Sequence, residues 1–395
     1  MSRTPIFAFV VECASFLILA ASPANGGAGP DTLLAKIQAV GREGSGNVEA
    51  ARAWRELVQR GPAALPAVLN AFDSADKIAA NWLRTAVDAI AERALAAGRP
   101  LPRAELERFL VERRHNGEAR RLAYDWLVRI DPTAPGRLLP GMLDDPSLEL
   151  RRDAVALVLQ EARQFLDKGD KPNATAAFQR ALSRARDRDQ VDLVAKELKG
   201  LGVEVDLAAH FGFIRQWLLI GPFDSSGGAG FQQAFPPEKT IDLTATYAGK
   251  RGMPVHWTVH TTNDPYGVVD LNKALGKNMG AAAYAFAPII SPRMGPVQIR
   301  AGSQNAIKIF LNGKQIFFRE EYHHGMQMDQ HIAAGTLRAG RNDLLIKICQ
   351  NEQTDDWAQN WSFQARLCDD TGGTVPFTLR TEKPNTQPGQ GKNVP

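Results

Sequence analysis

The spacing of apolar residues along the chain changes character within residues 211–224, the stretch FGFIRQWLLIGPFD. Before this stretch, Ala, Leu and Arg recur at intervals of three and four, which predicts amphipathic helices. After it, short alternating runs are separated by Gly, Pro and Asn, which predicts strands joined by turns. The run WLLI at 217–220, closed by Gly221-Pro222, predicts a first buried strand. The pattern therefore predicts a helical part followed by a β part.

The helical part, residues 30–209, contains a recurring unit of two amphipathic helices. The markers of the unit are prolines 36 and 38 residues apart and an Arg-x-Ala element. They stand at Pro66, Pro102 and Pro140, and at Arg84, Arg121 and Arg152. A period in the thirties built from paired helices indicates an α-solenoid, in which each hairpin buries its apolar face against its neighbours.

Residues 137–162, RLLPGMLDDPSLELRRDAVALVLQEA, resemble a HEAT repeat. They contain the Leu-Leu-Pro of a first helix, an Asp-Asp-Pro turn and the Arg-x-Ala-Val start of a second helix. The resemblance extends over about residues 48–162 and implies a degenerate array of three units that presents a surface to other proteins. Residues 172–202 resemble a tetratricopeptide-like hairpin in their residue pattern. The alternative is an ordinary helical pair packed on the β part.

Paired arginines stand at 113–114, 120–121 and 151–152. They could form a ridge for acidic partners. We interpret them instead as partners of nearby carboxylates on Asp144, Asp145, Glu149 and Asp153, together with solvated helix faces, because charge runs on helices usually do no more than this.

The clearest local pattern in the β part is IKIFLNGKQIFF at residues 307–318. Asn-Gly between alternating runs predicts a two-residue type I′ hairpin. The predicted pairs are Leu311 with Lys314, Ile309 with Ile316, and Ile307 with Phe318. Further runs at 252–260, 344–348 and 361–367 complete the pattern of an antiparallel β-sandwich.

Several of these β motifs together resemble a galactose-binding-like jelly roll over residues 214–380. They are the Tyr266-Gly267 turn before Asp270-Leu271, Ala283-Tyr284-Ala285, the Asn312-Gly313 hairpin, Gly340-x-Asn342 and Leu345-x-Lys347. The resemblance implies the sandwich of carbohydrate-binding modules and of the sugar-binding domains of large glycoside hydrolases. We therefore expect a galactose-binding-like domain at 210–381 and, by analogy only, a ligand-binding role.

The N-terminal segment predicts where the protein is located, and the net charge bears on its partners. Residues 1–24 have the layout of a signal peptide, which predicts export to the periplasm or the extracellular space. No later apolar run is long enough for a spanning helix, so we expect no stable membrane insertion after cleavage. A net charge of +4 without a concentrated basic face argues against nucleic acid as a partner. Residues 382–395 are predicted to be disordered.

The sequence leaves open whether Cys349 and Cys368 form a disulfide. Cys13 would leave with the signal peptide, so the mature chain keeps Cys349 and Cys368. An exported chain favours a disulfide, but the two residues end successive strands and would lie at opposite ends of a simple hairpin.

The candidate ligand-binding residues lie in two polar segments of the β part. Trp357 is the predicted platform for a sugar ring, whereas Trp257 and Trp361 share the parity of core residues and are predicted to be buried. The polar candidates around the platform are Asp355, Asp356, Asn360, Tyr322 and His323. The alternative for Trp357 is a lid on the core.

A second set of residues could bind a metal ion or act as an acid and base. The metal candidates are His324, Asp329 and His331, and a structural calcium is possible although no Asp-x-Asp-x-Asp spacing is present. No G-x-S-x-G or H-E-x-x-H motif occurs. The first hypothesis is thus an exported, non-catalytic scaffold whose jelly roll binds a glycan or protein. The alternative is a glycan-active or metal-dependent hydrolase using the His323, His324, Asp329 and His331 region.

The combination of export signal, HEAT-like helices and jelly roll resembles exported bacterial proteins of unassigned function. No cofactor is predicted, and the sequence leaves the ligand and the oligomeric state open.

Overall fold

The computed structural model describes residues 29–380. The predicted signal peptide at 1–24 and the predicted disordered tail at 382–395 lie outside the described residues. The chain divides into two compact units, Met1–Leu127 and Val128–Pro395. The boundary predicted between residues 209 and 210 therefore lies inside the second unit.

The first unit is helical. Its helices bury Leu, Ile, Val and Ala at spacings of three and four, as in Leu83, Val87 and Ile90 of the fourth helix, and thereby form the core of the unit. The helices are α1 Pro30–Gln38, α2 Asn47–Arg60, α3 Leu65–Asn70, α4 Lys77–Ala96, α5 Arg103–Val111 and α6 Gly117–Ile130, in which the division between the units falls. α2 ends before Gly61, and Pro62 occupies the first turn of the short 3-10 helix that follows.

The second unit opens with helices and continues into the β part. Its helices are α7 Ala134–Leu138, α8 Leu148–Asp167, α9 Lys171–Arg184, α10 Arg188–Gly200, α11 Leu207–Phe211, α12 Ala229–Gln232, α13 Pro236–Lys239 and α14 Leu271–Leu275. Residues 172–202 fall in α9 and α10 and the turns that follow them. Arg152 of α8 pairs with Asp189 of α10 at 2.8 Å and with Asp187 at 3.3 Å, so its carboxylate partners come from the next helical pair. Arg151 donates to the carbonyl oxygen of Asp145.

The β part contains three antiparallel sheets. Its strands are β1 Gln216–Asp224, β2 Thr246–Ala248, β3 Pro254–His256, β4 Thr258–Thr261, β5 Val269–Asp270, β6 Ala281–Ser291, β7 Gly295–Ser303, β8 Ala306–Leu311, β9 Lys314–Arg319, β10 His331–Leu337, β11 Gly340–Gln350, β12 Ser362–Cys368 and β13 Thr378–Leu379. A seven-stranded sheet has the order β4-β1-β6-β11-β8-β9, with β13 beside β6. A four-stranded sheet has the order β10-β7-β12-β5, and β2 pairs with β3.

The central strands of the seven-stranded sheet are buried on both faces. In β6 the residues Ala283 and Ala285 share a core with the four-stranded sheet, whereas Tyr284 and Phe286 face the segment that contains Phe231 and Trp257. This explains why β6 reads as an almost continuous apolar run, since a strand covered on both sides needs no polar face. Mixed α and β structure is thus present, with helices first and antiparallel sheets after them.

The predicted end of the first strand at Gly221-Pro222 is wrong. β1 continues to Asp224, and its register with β6 shifts between Ile220 and Phe223. Proline has no N–H for the ladder, so a strand can contain it where a bulge removes the need for that bond. Gly221 lies at this register shift, where the backbone of β1 passes close to β6. A Cβ at this position would lie 3.0 Å from the carbonyl oxygen of Ala282, so the position favours glycine.

The Asn312-Gly313 hairpin is confirmed, with a change of register. Both turn residues have positive φ, 54° and 80°, and Leu311 pairs with Lys314. Beyond a register shift between Ile309 and Phe310, Ile309 pairs with Phe317 rather than Ile316, and Ile307 with Arg319 rather than Phe318. The bulge, which the turn chemistry does not encode, moves the partners by one residue.

The single strand predicted at 252–260 is also wrong. Two short strands, β3 and β4, flank Trp257, which is buried as predicted. Met253 and Val259, predicted to face inward with it, are exposed, because β3 pairs with β2 outside the main sheets and β4 is an edge strand of the seven-stranded sheet.

The junction between the last helices and the β part is tightly packed. Phe211 and Phe213 belong to the core formed by α8, α9 and α10, and Ile214 belongs to the core of the sandwich. Gly212 has φ +79°, and a Cβ there would lie 2.6 Å from the carbonyl oxygen of Leu367. These residues therefore pack the last helices against the β part.

Cys349 and Cys368 are both free and buried. They lie in different sheets, on β11 and β12. Burial raises the pKa of the Cys349 thiol to about 12, which disfavours the reactive thiolate.

No helix in the described part of the chain, residues 29–380, is long and apolar enough to span a membrane.

Candidate functional site

Trp357 lies in the loop that joins β11 to β12, and 62% of it is exposed. Its ring meets His323 edge to face, with centroids 5.7 Å apart and an interplanar angle of 86°. His323 comes from the loop between β9 and β10, so two loops that are distant in sequence meet here. Residues 320–324 lie outside the strands, since β9 ends at Arg319.

Hydrogen bonds fix His323 beside the tryptophan. Its Nε2 lies 2.5 Å from Oδ1 of Asn351, and its backbone N–H donates to Oδ1 of Asn305 at 3.4 Å. The backbone of His323 has φ +59°, a left-handed conformation that non-glycine residues adopt rarely. Asn305 also donates to the carbonyl oxygen of Asn360 at 2.7 Å, so one buried amide ties both loops together.

The loop that carries Trp357 is held at both ends. The N–H of Gly280 donates to the carbonyl oxygen of Asn351 at 2.7 Å, and Nδ2 of Asn272 donates to that of Gln359 at 2.7 Å. Within the loop, Gln359 donates to the carbonyl oxygen of Thr354 at 2.7 Å. A ring displayed on a braced loop loses little conformational freedom when a ligand covers it.

The loop that carries Trp357 also contains exposed carboxylates. Asp355 and Asp356 are exposed, as is Glu352, which accepts a hydrogen bond from the N–H of Gly227. Asp355 accepts from Nε2 of Gln353 at 3.1 Å. Asn360 is exposed as well, and its side-chain amide joins these oxygens in offering both donors and acceptors.

Tyr322 lies beside His323, with ring centroids 6.2 Å apart. Its buried hydroxyl has no hydrogen-bond partner among residues 29–380. Burial raises the pKa of this hydroxyl, and the charges of Glu320 and Glu352 act in the same direction. The group is therefore a neutral hydrogen-bond donor at ordinary pH.

The metal candidates do not assemble into one ligand set. Asp329 accepts from Nε of Arg366 at 2.6 Å and from NH1 of Arg300 at 2.9 Å. Burial alone would raise the pKa of Asp329, but the hydrogen bonds and charges of these arginines outweigh it and lower the pKa. The carboxylate is thus ionised and already occupied.

His324 and His331 do approach each other, with ring centroids 6.2 Å apart. Their Nε2 atoms are buried and have no hydrogen-bond partner within the described residues. Zinc requires three or four protein ligands, and the described part of the chain contains no group of three His, Cys, Asp or Glu residues able to hold a metal ion.

An open cleft of about 600 Å³ lies next to the Trp357 loop. It is lined by residues from three segments, 221–222, 250–258 and 274–279. Nζ of Lys277, on its rim, lies 3.5 Å from Oε1 of Gln359 in the Trp357 loop. Gly280 contacts both features, because its N–H binds Asn351 and its carbonyl oxygen accepts from Lys250 at 2.5 Å. The sequence did not indicate this cleft, because its walls come from segments far apart along the chain.

The chain was compared with known proteins. No family model matches it, and no curated protein matches it. Similar solved structures include a β-glucosidase from Kluyveromyces marxianus in complex with glucose, at 11% identity and a TM-score of 0.26, covering 38% of this chain and 16% of that one.

An anti-sigma factor domain-containing protein is similar at 8% identity and a TM-score of 0.26, over 42% of this chain and 46% of that one. A GH31 α-xylosidase from Xanthomonas citri has 14% identity and a TM-score of 0.20, over 39% and 17%. The chain thus spans less than half the length of each of these structures. At such TM-scores the similarity assigns neither a fold nor a function.

Proposed function

We propose that the β part is a non-catalytic binding module for a glycan, with Trp357 as the platform on which a sugar ring stacks. The observation that carries this proposal is the exposed indole on a loop braced at Asn351 and Gln359 and backed by His323. The C–H face of a sugar stacks on an aromatic ring, while its hydroxyls need donors and acceptors at the ring's border.

The loop that carries Trp357 supplies donors and acceptors for sugar hydroxyls. Carboxylate oxygens of Asp355 and Asp356 accept hydrogen bonds from hydroxyls, and the amide of Asn360 both donates and accepts. Tyr322 and His323 stand on the other loop, with the imidazole of His323 against the indole and the hydroxyl of Tyr322 buried. The same residue types would also suit a protein ligand, which is an outcome of the test below.

The rest of the chain fits this role as a carrier. In this proposal the protein is exported, the helices form a HEAT-like solenoid that offers a surface to protein partners, and the sandwich is a jelly roll. The packing of Phe211 and Phe213 among the last helices holds the module to those helices, so that a ligand bound at Trp357 is held by the second unit as a whole.

The experiment is glycan-array binding of the wild-type protein and of Trp357→Ala. Covering one face of the indole removes roughly half of its 150–250 Å² from water, which is worth about 2 kcal/mol or roughly thirtyfold in affinity. Wild type should bind one glycan class and Trp357→Ala should lose that signal.

Phe318→Ala is the matched control, because Phe318 is equally exposed, at 62%, but lies on edge strand β9. It should bind as wild type does. A blank array with folded protein, or equal binding by Trp357→Ala, would overturn the glycan proposal. Binding of a protein ligand that Trp357→Ala abolishes would assign the platform to protein recognition instead.

A further inference from the structure

The cleft beside the Trp357 loop carries a charge pattern that points to a ligand class. Lys250, Arg251 and Lys277 line it, and Arg251 and Lys277 are exposed. Among residues 29–380 Arg251 forms no ion pair, while Nζ of Lys277 contacts only the neutral amide of Gln359. Two positive charges therefore face solvent at this rim without a countercharge.

Lys250 differs from these two because its ammonium group is already satisfied. It donates to Asp224 at 2.9 Å, to Ser226 at 3.2 Å and to the carbonyl oxygen of Gly280. Hydrogen bonds from Ser226 and Lys250 lower the pKa of Asp224 to about 2, so this pair is ionised at neutral pH. Lys250 thus shapes the wall of the cleft, and Arg251 and Lys277 supply its free charge.

The cleft is lined by apolar side chains as well as by polar ones such as His256, Thr258 and Asn278. Met253, Pro254, Leu275 and Met279 line it together with Pro222, and 65% of Met253 is exposed. At about 600 Å³ the cleft falls within the size range of small-ligand sites, roughly 300–1,000 Å³. Apolar side chains next to exposed cations match a sugar ring that carries an anionic substituent.

The backbone of Arg251 supports a role beyond a solvated surface charge. Its φ is +56°, the left-handed conformation that costs a non-glycine residue energy, and glycine follows it at position 252. A glycine at 251 would adopt this turn without strain, yet the position carries a long cation that lines the cleft.

We propose that this cleft binds the carboxylate or sulfate group of an acidic glycan whose neighbouring ring stacks on Trp357. The inference rests on the proposed glycan-binding function and names its ligand class. The contact between Lys277 and Gln359 joins the two subsites into one surface. The charges determine the orientation of the bound ligand. Glu352, Asp355 and Asp356 at the Trp357 end repel an anion. Arg251 and Lys277 at the cleft end attract it.

The test uses calorimetric titration of the full chain with three oligosaccharides of equal length: a galacturonate oligomer, a sulfated galactan oligomer and neutral cellotetraose. The carboxylate and sulfate probes distinguish the two sources of the anionic group. The variants are Arg251→Gln/Lys277→Gln and, as a control with the same loss of charge, Lys239→Gln/Lys314→Gln. Both control lysines are exposed and lie outside the cleft.

Wild type should bind at least one acidic probe and prefer it to the neutral one. Arg251→Gln/Lys277→Gln should weaken this binding about tenfold, and raising NaCl from about 50 to about 500 mM should weaken it as well, since exposed charges are screened. The control variant should bind within about twofold of wild type. All variants are first shown to unfold at the wild-type temperature.

The two proposals fail in different ways. Neutral and acidic probes bound equally, with Arg251→Gln/Lys277→Gln unchanged, would overturn the cleft proposal and leave the platform standing. Acidic binding lost in Arg251→Gln/Lys277→Gln but kept in Trp357→Ala would overturn the platform and leave the cleft. Equal losses of affinity in the cleft and control variants would show that the effect comes from net charge alone. This result would overturn the cleft proposal. Binding of no probe would contradict both.

Discussion

Arg366 on β12 donates through Nε to Oδ1 of Asp329 at 2.6 Å and through NH2 to Oδ2 at 2.5 Å. Its NH1 donates to the carbonyl oxygen of Phe211 at the end of α11, at 3.0 Å. Only 1% of Arg366 is exposed. One guanidinium therefore satisfies a partly buried carboxylate in the β part and the last carbonyl of a helix.

Replacing Arg366 should weaken this junction strongly. Arg366→Met leaves the carboxylate of Asp329 with only Arg300 as a charged partner and removes the donor to Phe211. Loss of one member of a buried pair typically costs ~3–5 kcal/mol in the free energy of unfolding. Urea unfolding should show this loss. Equal stability of Arg366→Met and wild type would contradict the account.

A second buried cation fastens the segment that covers the outer face of the seven-stranded sheet. Lys347 of β11 is fully buried, and its Nζ donates to the carbonyl oxygen of Gln233 at 2.7 Å and to Glu238 at 2.7 Å. Its ammonium lies 5.2 Å from the centre of the Phe235 ring. A lysine on an otherwise apolar strand thus acts as an internal anchor.

Lys347→Met should destabilise the protein by ~3 kcal/mol or more. The variant leaves the carboxylate of Glu238, which is largely buried, without its cationic partner. Limited proteolysis should then cut the segment 225–240 faster than in wild type. Lys347→Met/Glu238→Gln should be more stable than Lys347→Met alone. Unchanged proteolysis and unfolding in the single variant would show that Lys347 does not anchor the segment.

Stability should fall as the pH decreases from about 6.5 to about 4. Burial lowers the pKa of His210 from 6.5 to about 4, and the charges of Arg186 and Arg366 act in the same direction. Within this window the unfolded chain binds a proton at His210 that the native protein does not, so acid favours unfolding by up to about 3 kcal/mol.

Urea unfolding at pH 7 and pH 4.5 measures this effect, with His210→Gln as the comparison. Burial also lowers the pKa values of His260 and His331, so these residues add a loss of the same sign that both proteins share. The variant should lose clearly less stability between the two pH values than wild type does. An identical loss in both would exclude His210 as a source.

Local sequence chemistry predicted the features that depend on neighbouring residues. Asn312-Gly313 encodes its own turn, and alternation along the strands placed Trp257 and Trp361 in the interior. The bulges in β1 and in the β8–β9 hairpin escaped prediction, because they depend on partner strands. Such register shifts change which residues pair without changing which segments form strands.

The candidate site was predictable only in part for the same reason. Trp357 stood out as a large aromatic residue in a polar loop, and it is exposed. Its contact with His323 depends on Asn305 and Asn351, which join loops far apart in the sequence. The pairing of Asp329 with Arg366, 37 residues away, likewise could not be read from its polar neighbours.

The central claim is that a sugar ring stacks on Trp357, and the most direct measurement is calorimetric titration of the array-selected oligosaccharide into three proteins. These are wild type, Trp357→Phe and Trp357→Ala. Stacking requires an aromatic face, so Trp357→Phe should bind within about tenfold of wild type while Trp357→Ala weakens binding roughly thirtyfold or more. Equal affinity of Trp357→Ala and wild type would contradict the claim.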